Sequence, residues 1–65
     1  MNRSKEHYRL ALENFRRSTG LLMDAGCLWH LAGDDKDMER LALERHRLGS
    51  ALSTRAYWHL SRSYD

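Results

Sequence analysis

An uninterrupted heptad pattern in the first half of the chain most constrains its fold. Alternating steps of three and four residues from Tyr8 reach eight positions, seven apolar or aromatic and one serine. They are Tyr8, Ala11, Phe15, Ser18, Leu22, Ala25, Trp29 and Ala32. The pattern passes over Gly20 and Gly26 without a change of phase, and the chain contains no proline. This periodicity predicts a helix over residues 4–32.

The sequence also predicts where this helix ends and a second one begins. Gly33 fits the position after a helix, where φ is often positive, and Asp34 or Asp35 fits the N-cap of the next helix. A turn at 33–34 is so short that the two helices should lie antiparallel and adjacent. The alternative for the first segment is a bend near residues 18–20, or two helices that meet there.

The second helix is predicted over residues 35–62. Its seam, the row of residues expected to face the first helix, is less regular than the heptad pattern of that helix. Glycine inside a helix costs about 1 kcal/mol, so Gly49 and Ser50 indicate a possible bend or break and an alternative fold of three or four helices. The expected seam is Met38, Leu41, Arg45, Leu48, Leu52, Arg55 and His59, with Ala42, Ala51 and Ala56 beside it. The predicted fold is a single all-α domain over residues 1–65, an antiparallel helical hairpin.

The first helix has more apolar side chains than one neighbouring helix can cover, because a second row of leucines flanks the main seam. Leaving a leucine in water forgoes about 1.5–3 kcal/mol, and a chain this short has only a marginal core of its own. We therefore expect two hairpins to form a homodimeric four-helix bundle, or the hairpin to bind a different protein. The candidate interface residues are Leu10, Leu21, Leu28, Leu31, Trp29, Tyr57 and Trp58.

The sequence contains no recognisable catalytic or metal-binding motif. It has no glycine-rich phosphate loop, no G-x-S-x-G turn and no H-E-x-x-H motif. Cys27, the only cysteine, lies in an apolar segment and is expected in a core or an interface; a lone cysteine also fits a reducing cytoplasm. His7 and His59 should lie near the same end of the hairpin, without a third ligand at zinc spacing. We therefore expect no enzymatic activity, no metal and no cofactor.

The arginines make nucleic acid an alternative partner. Helical arginines can line a phosphate backbone. The candidate basic contact face consists of Arg16, Arg17, Arg45 and Arg47. Glutamates nearby and a net charge of only +2 instead favour a solvated face with ion pairs. No apolar run approaches the roughly 18 residues of a membrane span, and no leader is evident, so a cytoplasmic protein without membrane contact is expected.

Part of the chain resembles a group of small bacterial regulators. The stretch ALENFRRSTGLLMDAGCLWHLA is similar in its residue order to the ANR family, negative regulators of AraC-type activators. The segment GLLMDAGCLW, followed by an acidic turn and LERHR, resembles PerC-like regulators. The resemblance covers roughly residues 10–48. The matched positions are Glu13, Gly20, Ala25, Trp29, Ala32 and Arg45 or Arg47.

The resemblance implies a small cytoplasmic protein that modulates gene expression by binding a transcription factor or a nucleoid-associated regulator. Together with the surplus of apolar residues, it favours a non-enzymatic regulator that acts by protein–protein binding. A phage-encoded inhibitor of a host machine, of the anti-CRISPR or anti-activator type, is the first alternative. A direct nucleic-acid-binding protein is the second.

Overall fold

The chain folds into two long helices joined by a tight turn. The computed structural model describes residues 2–64. Helix α1 spans Asn2–Ala32 and helix α2 spans Lys36–Ser63, and the described residues contain no strand. The helices pack side by side into a rod with extents of 51 × 12 × 11 Å. The predicted all-α hairpin is confirmed.

Both helices continue through the glycines at which a bend or break was considered. α1 remains helical across residues 18–20. α2 remains helical across Gly49 and Ser50, so the alternative with three or four helices is not observed and the described residues contain two helices. Gly49 is buried against α1. Packing against the neighbouring helix therefore outweighs the weak helix propensity of this glycine.

The turn follows from the chemistry of its residues. Gly33 has a φ of 54°, a left-handed conformation that glycine adopts without a steric cost. The amide of Asp35 donates a hydrogen bond to the carbonyl of Ala32 at 2.8 Å. The Asp35 carboxylate then accepts hydrogen bonds from the amides of Asp37 and Met38, at 3.0 and 3.1 Å. Asp35 is thus the N-cap that starts α2.

A stripe of small residues, one in every seven, forms the contact between the helices. Its buried members are Ala11, Ser18, Ala25 and Ala32 on α1, and Ala42, Gly49 and Ala56 on α2. The Ser18 hydroxyl donates a hydrogen bond to the carbonyl of Gly49 at 2.7 Å, which joins the two helices near their midpoints. Small side chains let two helix backbones approach closely, and the small-residue stripe therefore sets the spacing of the hairpin.

The seam predicted for α2 is wrong at every second position. Its members Met38, Arg45, Leu52 and His59 are half-buried, but Leu41, Leu48 and Arg55 are exposed. Ala42 and Ala56, placed beside the seam, are buried at its centre together with Gly49, and Ala51, also placed beside it, faces solvent. The prediction followed the largest apolar side chains. Close packing instead selects the smallest ones for the line of contact, and the large side chains lie on either side of it.

The hairpin has no core of large side chains. All its buried apolar residues are alanines, and no large side chain among residues 3–64 is fully buried. The accessible surface is 5184 Å², compared with about 4,300 Å² for a compact monomer of the same mass. The radius of gyration of 14.8 Å also exceeds the about 11 Å of a compact domain of this length. The chain therefore leaves much of its apolar surface in water.

Candidate functional site

Helical geometry places the large apolar side chains on two opposite faces of the hairpin. A residue four or one positions after a member of the stripe lies on one side of it, because successive residues are about 100° apart around a helix. Phe15 and Tyr57 meet there across the two helices, with ring centroids 5.0 Å apart and planes at 89°. We call this side the aromatic face. It contains Tyr8, Leu12, Phe15, Leu22, Trp29, Leu43, Tyr57 and Leu60.

The opposite side, which we call the leucine face, is made by residues three positions after or one position before a stripe residue. Its apolar members are Leu10, Leu21, Leu28, Leu31, Leu41, Leu48 and Leu52. Leu21, Leu41 and Leu48 line one shallow hollow on this face, and Leu28, Leu31 and Leu41 line the next. The leucines of these two hollows, which share Leu41, therefore form one surface from both helices.

Both faces are open to solvent. On the leucine face, 72% of the surface of Leu31 and 53% of that of Leu48 are exposed. On the aromatic face, the exposed fractions are 62% for Tyr57 and 54% for Tyr8. Contiguous apolar surface of this kind, as distinct from single exposed leucines, is typical of protein-binding sites.

The two faces differ in charge. Between Tyr8 and Trp29 on α1, and between Leu43 and Leu60 on α2, the positions of the aromatic face include no Asp, Glu, Lys or Arg. The leucine face includes Arg17, Asp24, Arg45 and Arg55. Arg45 forms an ion pair with Asp24 across the two helices, at 3.8 Å. The aromatic face is thus uncharged over its centre, and the leucine face is apolar with a net positive charge.

The predicted interface residues divide between the two faces. Leu10, Leu21, Leu28 and Leu31 belong to the leucine face, whereas Trp29 and Tyr57 belong to the aromatic face. Trp58 lies at the edge of the leucine face, where its ring meets that of His7 with centroids 5.7 Å apart. The interface predicted from the sequence did not include Leu12, Leu22 or Leu43, which lie on the aromatic face. Each of them follows a small residue of the stripe by one or four positions, and this spacing could have identified them.

The four candidate basic residues do not share one surface. Arg16 and Arg47 each follow a stripe residue by five positions, which places them on the outer sides of different helices. Arg17 and Arg45 lie on the leucine face, and Arg45 is paired with Asp24. Binding along a phosphate backbone depends on cations that contact it together, and the hairpin brings only Arg17 and Arg45 of the four onto one face.

The ionic contacts on the outer side of α1 lie within that helix. The Arg9 guanidinium donates hydrogen bonds to the carboxylates of Glu6 and Glu13. The bond from Arg9 lowers the pKa of Glu6, and the same bond raises the pKa of Arg9. These groups are exposed, so the contacts support the helix only weakly.

Two histidines meet near the chain ends, as the register predicted. The Nδ1 atoms of His7 and His59 are 3.0 Å apart, and the Arg62 guanidinium lies 4.9 Å from the ring centroid of the adjacent Trp58. Within residues 2–64, no group of three His, Cys, Asp or Glu side chains is placed to hold a metal ion. The pair therefore provides a polar link between the helices.

Cys27, predicted in a core or an interface, is exposed in the hairpin, so it is not in the core of this chain, and the interface position stays a prediction. It follows the stripe residue Ala25 by two positions, which turns it about 200° around α1, away from α2. Its thiol lies at the rim of the hollow formed by Leu28 and Leu31 on the leucine face.

Comparisons with protein-family models, with curated proteins and with solved structures find no match for this chain. Neither helix, over the residues that the structure describes, is long and apolar enough to cross a lipid bilayer.

Proposed function

We propose that the chain is a small non-enzymatic regulatory protein that acts by binding other proteins through its two apolar faces. The supporting observation is the absence of any fully buried large side chain among residues 3–64, combined with two continuous apolar surfaces. A monomer in this form forgoes hydrophobic stabilisation of about 25 cal/mol for each Å² of apolar surface left in water. A protein partner on each face recovers it.

One of these partners is a second copy of the chain, in a homodimeric four-helix bundle. The accessible surface exceeds that of a compact monomer by about 850 Å². Each partner of a standard protein interface contributes about 800 Å². Burial of one face in a dimer would therefore remove about as much surface from each chain as the chain exposes beyond a compact monomer. The other face would remain available on each side of the bundle.

The second partner is a regulatory protein, such as a transcription factor or a nucleoid-associated regulator, bound to the leucine face. The resemblance to ANR and PerC-like regulators supports this class of partner. The face combines exposed leucines with Arg17 and Arg55. Leucines accept the apolar side of a partner helix and arginines attract its carboxylates, so the expected contact is an amphipathic helix with acidic flanks.

Face-specific substitutions test this function. We would substitute Leu31→Glu and Leu48→Glu together, and compare the variant with Met23→Glu, which changes an equally exposed residue on the outer side of α1. Proteins that copurify with the tagged chain would be quantified by mass spectrometry in cells that express it naturally. We expect one regulatory protein to be lost from the leucine-face variant and retained with Met23→Glu. Equal recovery with both variants would contradict the proposal.

A further inference from the structure

We propose that the second copy binds the aromatic face, with the two hairpins antiparallel so that the turn of each lies over the chain ends of the other. This inference rests on the self-association in the proposed function and adds the face and the orientation. Each α1 would pack on the partner's α1, and each α2 on the partner's α2. The leucine faces would then be the two outer surfaces of the bundle.

The distribution of charge selects the aromatic face. The centre of a stable interface is depleted of charged residues and enriched in aromatic ones. The aromatic face meets both conditions between Tyr8 and Trp29. A dimer through the leucine face would bury Arg17 and Arg55 of both copies, and the aspartate of this face, Asp24, is already paired with Arg45. Desolvating an excess of cations over carboxylates is costly.

The charge along the rod selects the antiparallel orientation. The half of the hairpin at the chain ends, residues 2–19 and 48–64, has seven basic and two acidic residues, a net charge of +5. The half at the turn, residues 20–47, has four basic and six acidic residues, a net charge of −2. Parallel hairpins would place the two +5 halves together. Antiparallel hairpins place each +5 half against a −2 half, which is attractive.

The shape of the aromatic face agrees with this orientation. At the turn, Trp29, Lys36, Glu39, Arg40 and Leu43 line a shallow hollow. At the chain ends, the ring of Tyr57 is exposed on the same face. Inverting one hairpin about the level of Ser18 brings Tyr57 of one copy to the hollow of the other. The dimer thus places an exposed ring against a hollow.

Cross-linking identifies the face. Thr19 and Arg17 are both exposed and lie at the middle of the rod, but Thr19 is on the aromatic face and Arg17 on the leucine face. Each would be changed to cysteine in a Cys27→Ser background and treated with a short bis-maleimide. We expect covalent dimers from Thr19→Cys and not from the matched control Arg17→Cys. Cross-linking of Arg17→Cys instead, or of neither variant, would overturn the assignment of the face.

A spin label at one end of the rod identifies the orientation. With Lys5→Cys labelled in the same background, antiparallel hairpins separate the two labels by about 39 Å along the axis, or about 26 residues at 1.5 Å each. Parallel hairpins would bring the labels within about 20 Å. We expect the longer distance by pulsed EPR, and a short one would refute the orientation.

Sedimentation of the unmodified chain separates a failure of this inference from a failure of the proposed function. A dimeric mass without cross-linking through Thr19→Cys would overturn the face and leave self-association intact. A monomeric mass would overturn the dimer, while binding of a regulatory protein to the leucine face is measured independently by copurification.

Discussion

Replacing Gly49 with alanine tests whether the helices touch along the small-residue stripe, because the same replacement at Gly20 provides a matched control. Both glycines lie inside helices, so alanine should favour each helix by about 1 kcal/mol. A Cβ atom at Gly20 would meet no other atom within 4 Å. A Cβ atom at Gly49 would lie 2.9 Å from Cγ of Leu22 and 3.3 Å from the carbonyl oxygen of Ser18.

These distances determine the sign of the effect. Two carbon atoms pack best at about 3.5–4.0 Å, so Leu22 would have to move by more than half an ångström. The Ser18 oxygen belongs to the backbone of α1 and cannot rotate away. The helices would therefore separate at this point, and the 2.7 Å hydrogen bond from Ser18 to Gly49 would lengthen. Overpacking of this kind costs about 1–3 kcal/mol, which equals or exceeds the gain in helix propensity.

Thermal unfolding followed by circular dichroism measures the difference, at one protein concentration because the melting temperature of a dimer depends on it. We expect Gly20→Ala to raise the melting temperature by about 4–8 °C. Gly49→Ala should leave it unchanged or lower it by up to about 15 °C, a net loss of up to 2 kcal/mol. Equal stabilisation by both substitutions would show that the helices are not in close contact at Gly49.

Three further predictions concern the link between the helices, the turn and nucleic-acid binding. Ser18→Ala leaves the carbonyl of Gly49 without its buried donor, so chemical denaturation should show a loss of about 1 kcal/mol, and a loss of zero would contradict the bond. Asp35→Ala removes the N-cap of α2 and should cost about 1 kcal/mol, whereas Asp34→Ala, one residue earlier, should cost much less. In a mobility-shift titration at low salt, the chain with Arg16 and Arg47 replaced by glutamine should bind DNA no more weakly than the unmodified chain, because the two arginines lie on different sides of the rod. A steep loss of DNA binding would instead support the nucleic-acid alternative.

The helices and the turn could be predicted from the sequence because local chemistry determines them. The heptad pattern of α1, the absence of proline, Gly33 after the last residue of α1 and Asp35 at the start of α2 each act over a few residues. The seam of α2 could not be predicted in the same way. The seam depends on how closely α1 approaches α2. From the sequence alone, Gly49 indicates a helix break; only its contact with Ser18 and Leu22 shows that it belongs to the line of contact between the helices.

The division of the apolar residues into two faces has the same origin. If large apolar residues had formed the seam, they would have been buried between the two helices, and only the second row of leucines would have remained exposed. A seam of alanine, serine and glycine reverses the arrangement, because the helices come so close that the large apolar side chains next to the stripe lie to one side of it or the other. The spacing of seven between Ala11, Ser18 and Ala25 contained this information in the sequence. A hairpin closed by such a stripe has little interior of its own, so its stability and its function both depend on what covers its two faces.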